Sequence, residues 1–201
     1  GWYADVSFAW PQILGVVSVV TMTMGNLVAI QQNSVKRMLA YSSIAHAGYM
    51  LMAFPTISSE GVFAVMIYLV MYLFMNLGAF FVLIYVSQKE GGENFEHFSG
   101  LGWRMPIVGI VMTVFMFSLT GLPPTVGFIG KFYIFLAAVE SGFTYLAILG
   151  VIFSVISAFY YLRIIKVIYF DPEKEKYDTD HHLGLKITLF LSTVFILIYF
   201  I

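Results

Sequence analysis

Long runs of apolar residues, separated by short polar segments, continue along the whole chain. An α-helix needs roughly 17 to 25 such residues to cross a hydrocarbon core of about 30 Å. Cutting the runs at polar or charged residues therefore predicts an all-α integral membrane protein, with residues 1–201 forming one transmembrane domain. The expected helices, about six, cover residues 8–31, 37–57, 62–87, 105–140, 143–170 and 185–201. Residues 1–8 are expected to form a loop that leads into the first helix.

The fourth segment is too long for one straight span. As a continuous helix, residues 105–140 would measure on the order of 54 Å, nearly twice the thickness of the core. Pro123 and Pro124 lack backbone N–H groups, and Pro123 also disfavours helical geometry at Leu122. We therefore expect two half-helices that meet at this proline pair. Unpaired backbone groups at membrane depth need protein or water around them, so the break is expected to face the interior of the helix bundle.

Composition agrees with lipid as the solvent of this chain. Hydrophobic residues make up 60% of it and charged residues only 10%, and the mean hydropathy is +0.90. The net charge of −1 produces no field that would attract nucleic acid. Cysteine is absent, which excludes disulfides and iron–sulfur ligation by this chain.

The positive charges are distributed unevenly between the two sides of the predicted bundle. Alternating loops place nine of the ten Lys and Arg residues on one side. By the positive-inside rule that side is cytoplasmic. These nine residues are Lys36, Arg37, Lys89, Arg104, Arg163, Lys166, Lys174, Lys176 and Lys186. Lys131, the tenth, lies inside the broken helix.

Lys131 is the strongest candidate for chemistry. It follows Pro124 by seven residues and precedes Glu140 by nine, which places it about 10 to 14 Å from either point and near the middle of the membrane. A charged lysine at this depth is costly unless water or a partner compensates it. Two roles are open: a group that gains and loses a proton, or a structural lysine bound to backbone carbonyls that the prolines leave free.

Other polar groups lie in the same apolar helices. His46, nine residues after Arg37, is a second proton-transfer candidate because imidazole titrates near neutrality; otherwise it is a neutral histidine that donates one hydrogen bond. Ser118 and Thr120 flank the break and support a site there or merely bond to backbone. Glu140 is either a residue of the channel mouth or a surface charge.

Two further groups have weaker signals. Tyr160 and Tyr161 fit an interfacial aromatic belt or simple packing. The pair His181-His182 lies in a charged loop without further ligands, so no metal site is expected there. Nothing in the sequence predicts a cofactor-binding site in this chain.

Two strings of residues identify a family. They are KRMLAYSSIAHAGY, from Lys36 to Tyr49, and LTGLPPTVGFIGKFY, from Leu119 to Tyr133. Together with GNLVAIQQNSVKR at 25–37 and NLGAF at 76–80, they resemble the antiporter-like membrane subunits of respiratory complex I. Within that family, lysine at position 131 favours the branch of subunit N over subunit M, which tends to carry glutamate there. Subunit L is disfavoured because no trace of its long lateral helix follows Ile201.

The resemblance implies an architecture for the complete subunit. Such subunits contain two inverted repeats, each with a broken helix that carries an ionisable residue. This chain is similar to the second repeat plus the last helix, so we expect a fragment that lacks the N-terminal half. Lys131 then matches the proton-transferring lysine of the second broken helix, and His46 matches the histidine of the helix that follows the Lys-Arg pair.

The resemblance also implies a function. The chain would translocate protons in an NADH-quinone oxidoreductase of an energy-transducing membrane, most simply the bacterial plasma membrane. NADH, FMN, iron–sulfur clusters and quinone would belong to partner subunits, and this chain would hold no cofactor. Its partners would be other membrane subunits of complex I, the missing half of the same subunit, and lipid.

Two other functions fit the same strings. The first is a subunit of a multisubunit cation/proton antiporter or of a membrane-bound hydrogenase, because these complexes share the fold and its motifs. The second is a passive scaffold in which Lys131 only tethers two helices. A solute transporter would need a substrate pocket, for which the sequence gives no sign.

Overall fold

The chain folds into a bundle of helices. The computed structural model describes residues 2–56 and 58–172, and no β-strand longer than an isolated bridge occurs among them. The α-helices are α1 Trp2–Ile30, α2 Val35–Leu51, α3 Ser59–Glu90, α4 Leu101–Arg104, α5 Pro106–Thr120, α6 Val126–Glu140 and α7 Thr144–Phe170. Two 3₁₀ turns lie between them, at Phe54–Thr56 and Phe95–Phe98.

The predicted spans match these helices in type. Within the described residues, Trp10–Ile30, α3 and α7 are each long and apolar enough to cross a membrane, and a fourth span results if the bent pair Phe95–Arg104 and α5 is counted together. The helix predicted at 185–201 and the pair His181-His182 lie outside the described residues. An all-α membrane protein is therefore confirmed, while the number of six spans stays a prediction.

Several predicted boundaries were wrong, for local reasons. α1 begins at Trp2 rather than at residue 8, since no proline or glycine from residue 2 to residue 8 ends the helix. α2 stops at Leu51, because Pro55 has no N–H to donate to the Leu51 carbonyl and the chain continues as a 3₁₀ turn. α3 is longer than predicted: the Ser58 hydroxyl accepts a hydrogen bond from Gly61 N at its start, and Gly91 ends it with a φ of 73°.

The polar segment after α3 is not a simple loop. It contains the 3₁₀ turn Phe95–Phe98 and the short helix α4. Together, as the stretch Phe95–Arg104, they make an angle of 119° with α5. Phe95, Phe98 and Leu101 are buried in the core, so these aromatic and aliphatic side chains hold the segment against the bundle. The helices predicted at 62–87 and 105–140 leave this segment out, so its anchoring was not predicted.

The segments that carry most positive charges meet at one end of the bundle. Lys36 Nζ lies 3.0 Å from a carboxylate oxygen of Glu93, Arg163 donates to the carbonyl of Gln32 at 3.1 Å, and Gly100 N donates to the carbonyl of Val167 at 3.1 Å. The predicted grouping of these charges on one side is therefore confirmed for the segments that the structure describes.

One ion pair at this end is buried. Arg104 Nη1 lies 2.6 Å from Glu90 Oε1, and each side chain is only 3% exposed. Arg104 also donates to the carbonyl of Ser99 at 2.9 Å. The pair joins the end of α3 to α4 and fixes the bend that leads into α5.

Replacing Arg104 by methionine is expected to destabilise the bundle by about 3–5 kcal/mol, since Glu90 would keep a buried charge without a partner. Thermal unfolding of the assembled complex in detergent would measure the loss. Lys36→Met is the matched control, because its pair with Glu93 is exposed and such pairs contribute about 0–1 kcal/mol. Equal stability of the two variants would show that the buried pair contributes nothing special.

Candidate functional site

Lys131 extends from α6 back to the end of α5. Its ammonium donates to the carbonyls of Thr120 at 2.8 Å and Leu119 at 3.2 Å. Both carbonyls belong to the last turn of α5, where no following helical N–H is available to them. The side chain is 3% exposed. The C-terminal end of a helix is also the negative end of its dipole, which favours a positive group at this position.

A third helix completes the lysine site. Lys131 Nζ donates to the Ser154 hydroxyl of α7 at 2.9 Å, and Ser154 Oγ donates to the carbonyl of Thr120 at 3.2 Å. No ion pair in the described part of the chain involves Lys131. The lysine is therefore held by neutral groups from α5 and α7, without a carboxylate that would fix its charge.

Local sequence explains the break. α5 ends at Thr120, and the next residue, Gly121, has a φ of 87°, a left-handed conformation that glycine adopts without a steric penalty. An added Cβ at Gly121 would lie 2.9 Å from Lys131 Cδ, so the absence of a side chain also leaves space for the lysine stem. Ser118 Oγ accepts a hydrogen bond from Gly127 N at 3.3 Å and thereby ties the start of α6 to α5.

The break faces the interior only at its two ends. Thr120 and Thr125 are buried, whereas Leu122, Pro123 and Pro124 are exposed on the described chain. The expectation that the whole break points inward is therefore wrong for this chain by itself. The turn between the half-helices bulges outward so that the carbonyls of Leu119 and Thr120 can point at Lys131.

His46 on α2 lies between two phenols. Its Nδ1 is 2.6 Å from the Tyr68 hydroxyl of α3, and its Nε2 is 3.0 Å from the Tyr161 hydroxyl of α7. In a neutral imidazole one ring nitrogen donates and the other accepts, and each hydroxyl can do either. His46 is 1% exposed. The structure thus gives it two partners that can both pass a proton.

Tyr49 is a neighbour of both the lysine and the histidine. The Lys131 ammonium lies 4.8 Å from the centre of the Tyr49 ring, and the centres of the Tyr49 and His46 rings are 5.8 Å apart in an edge arrangement. A cation over an aromatic face is attracted by the ring quadrupole. The two predicted residues therefore belong to one buried site, in which both contact the Tyr49 ring.

The remaining predicted residues divide into two groups. Thr120 contributes its carbonyl to Lys131, and Ser118 bonds to Met75 Sδ at 2.9 Å as well as to α6. Glu140 lies apart from them at the end of α6, where it is exposed and lines a surface cavity of about 390 Å³ together with Glu60 and Tyr133. No group of three His, Asp or Glu side chains suited to a metal occurs among the described residues.

Sequence reasoning missed two important partners. Ser154 of α7 and Tyr68 of α3 were not candidates, and Tyr160 and Tyr161 were interpreted as belt or packing residues. A signal was present in α7, where Ser154, Ser157, Tyr160 and Tyr161 recur at helical spacing within an otherwise apolar helix. A polar stripe of this kind inside a membrane span points to a buried polar region.

Comparison with known families agrees with this geometry. Residues 2–157 match the family model described as NADH:quinone oxidoreductase/Mrp antiporter, TM. The chain belongs to this family. The match covers α1 to α6 and the first half of α7, so Lys131, His46 and the broken helix all lie within it. Membership of the NADH:quinone oxidoreductase/Mrp antiporter family confirms the transmembrane character predicted from the sequence.

Individual relatives and structures are similar to most of the chain. The "NADH-quinone oxidoreductase subunit N 2" of Sorangium cellulosum is 54% identical over 170 residues, which are 83% of this chain and 34% of the relative. A chain of respiratory complex I from Thermus thermophilus with bound aureothin has a TM-score of 0.81 at 32% identity, covering 94% of this chain and 43% of that one. A chain of the membrane-bound sulfane sulfur reductase, an archaeal respiratory membrane complex, has a TM-score of 0.86 at 30% identity, covering 96% and 39%.

The chain spans about a third of the length of this subunit N relative. The resemblance inferred from the two sequence strings is confirmed at the level of the family.

Proposed function

We propose that this chain is part of subunit N of a proton-translocating NADH-quinone oxidoreductase, complex I, in a bacterial plasma membrane. The name of the similar Sorangium relative and the similarity to a complex I chain support this assignment. The single observation that carries the mechanism is Lys131, buried among neutral groups at the break between α5 and α6.

The surroundings of Lys131 suit a group that changes its charge. As an ammonium it donates to two carbonyls and to Ser154. As a neutral amine it would keep two N–H donors for the two carbonyls and gain a lone pair. The Ser154 hydroxyl can rotate and donate a hydrogen bond to that lone pair. A carboxylate partner would stabilise only the charged form, and none is present among the described residues.

Within this proposal His46 is the second proton carrier. It would receive a proton that leaves Lys131 and release it through its other ring nitrogen toward Tyr68. Thr120 and Ser118 hold the half-helices and the lysine in place, and Pro123 and Pro124 keep the carbonyls of α5 free. Glu140 would be a residue of the outer mouth, beside Glu60.

The partners follow from the same assignment. NADH, FMN, iron–sulfur clusters and quinone would be held by other subunits; for the clusters this agrees with the lack of cysteine in this chain. The rest of the subunit and the neighbouring membrane subunits would cover part of the exposed apolar surface, and lipid the remainder. The role in a cation/proton antiporter or hydrogenase is not favoured, because the subunit relative reported above is named as subunit N.

Lys131→Ala tests the proposal in the complete subunit and the assembled complex. It is expected to lower the number of protons moved per NADH oxidised, measured in proteoliposomes, while the complex still assembles. Lys166→Ala is the control, since Lys166 is exposed and only loosely paired with Asp171 at 3.7 Å. Unchanged pumping in an assembled Lys131→Ala complex would overturn the proposal.

A further inference from the structure

Four polar residues form a stripe along α7. Ser154, Ser157, Tyr160 and Tyr161 recur at intervals of three, three and one residues, so they lie on one face of the helix. Ser157, Tyr160 and Tyr161 are each at most 1% exposed. A buried polar stripe in a membrane helix costs free energy unless every group finds a partner, so its partners indicate its role.

The two ends of the stripe meet the two proton carriers. Ser154 Oγ accepts from Lys131 Nζ at 2.9 Å, and the Tyr161 hydroxyl lies 3.0 Å from His46 Nε2. α7 is thus the one described helix that hydrogen-bonds to both through side chains.

No hydrogen bond joins Lys131 directly to His46 among the described residues. The Tyr49 ring is a neighbour of both, with its centre 4.8 Å from the ammonium and 5.8 Å from the centre of the imidazole. The ring carbons offer no lone pair that could accept a proton. A route between the two carriers must therefore use other polar groups.

The middle of the stripe supplies hydroxyl groups for such a route. Ser157 Oγ donates to the carbonyl of Ser154 at 2.7 Å, which leaves its oxygen free to accept. The Tyr160 hydroxyl donates to Asn26 Oδ1 at 3.1 Å, and Ser157 and Tyr161 lie near it. The Tyr160 and Tyr161 rings lie 4.5 Å apart.

One buried hydroxyl marks a place for water. The Tyr49 hydroxyl faces Asn26 and Ser157, but it makes no hydrogen bond of good geometry with any described residue. A buried polar atom of this kind normally has a partner, and a site with several convergent polar groups can hold a water molecule. Such a water would connect the Ser154–Ser157 turn to Tyr160.

We propose that Ser154, Ser157, Tyr160 and Tyr161 of α7, together with one water bound at the Tyr49 hydroxyl, form the proton path from Lys131 to His46. This inference rests on the proposed function and specifies its route. Each hydroxyl accepts one proton and passes its own proton to the next group. The first transfer is from Nζ of Lys131 to Ser154, and the last is from Tyr161 to His46 Nε2. At the end Lys131 is a neutral amine and His46 is an imidazolium. No other group changes its net charge.

Ser157→Ala tests the path, because Ser157 contacts neither carrier directly. In the assembled complex it is expected to reduce the number of protons moved per NADH by the same fraction as Lys131→Ala, and Ser157→Thr, which retains the hydroxyl, is expected to restore it. Thr23→Val is the control: the Thr23 hydroxyl also donates to a carbonyl of its own helix, Val19 at 2.7 Å, but lies outside the path. Pumping would remain normal in that variant.

A second substitution tests the same path independently of whether the Ser157→Ala variant folds. Tyr161→Phe is expected to lower pumping in the same way, with Tyr169→Phe on the same helix as its control. If Lys131→Ala lowers pumping but Ser157→Ala and Tyr161→Phe do not, the path is wrong and the proposed function stands. If Lys131→Ala has no effect either, the proposed function itself fails.

Discussion

His46→Phe is expected to slow proton transfer through the subunit by on the order of 10²-fold, the range attributed to a positioned acid–base group. Phenylalanine fills the space of the imidazole between the Tyr68 and Tyr161 hydroxyls, yet it can neither accept nor donate a proton. The measurement is the rate of proton release into the lumen of proteoliposomes that contain the assembled complex, at a fixed rate of NADH oxidation.

The same substitution has a structural cost that must be separated from the loss of transfer. Two buried hydroxyl groups would lose a partner, at about 1–3 kcal/mol each. Ser18→Ala is the matched control, because it removes another buried hydrogen bond to α2, from Ser18 Oγ to the carbonyl of Gly48 at 2.8 Å, without touching His46. If His46→Phe pumps normally in a stable complex, His46 is a packing residue and not a carrier.

Lys131→Gln is expected to retain the assembled complex and still lose the pumping that this subunit contributes. The amide of glutamine is shorter but can donate hydrogen bonds toward Thr120 and Ser154, so it substitutes for a tether. It cannot take up a proton at working pH. A scaffold would thus tolerate glutamine, whereas a proton carrier would not.

A comparison of two variants makes this distinction sharper. Lys131→Gln and Lys131→Ala are expected to share the loss of pumping, while only the alanine variant should also lose thermal stability, because it leaves the carbonyls of Leu119 and Thr120 without their donor. Wild-type pumping in the glutamine variant would support the tether and refute proton transfer through Lys131.

The broken helix could be predicted from the sequence because its causes are local. Two prolines remove backbone donors, and the length of the apolar run exceeds what one span needs, so the half-helices α5 and α6 appear close to the predicted limits of 105–140. α7 likewise occupies Thr144–Phe170, almost as predicted, because a hydrophobic run defines it.

The partners of the site could not be predicted in the same way. The contacts of Lys131 with Ser154 and of His46 with Tyr68 join residues 22 or more positions apart, on different helices. They depend on the rotation of each helix about its own axis, which is set by packing such as the close approach of Gly48 to Met22. Hydropathy along a single helix contains little information on that rotation, because the predicted helices are apolar over most of their surface and only a polar stripe such as that of α7 marks one face.

The outward position of the proline pair has the same explanation. The sequence places Pro123 and Pro124 in the break, but the direction in which the turn bulges depends on where α3 and α7 pack against the two half-helices. With Lys131 drawn toward Ser154, the carbonyls of α5 turn inward and the prolines outward.

The central claim is that Lys131 changes its charge during turnover, and infrared difference spectroscopy of the assembled complex with isotope-labelled lysine tests it most directly. The account predicts an isotope-sensitive ammonium band that appears on NADH oxidation, vanishes in Lys131→Gln and persists in Lys166→Gln. A difference spectrum without any lysine band, or with one that survives in Lys131→Gln, would contradict it.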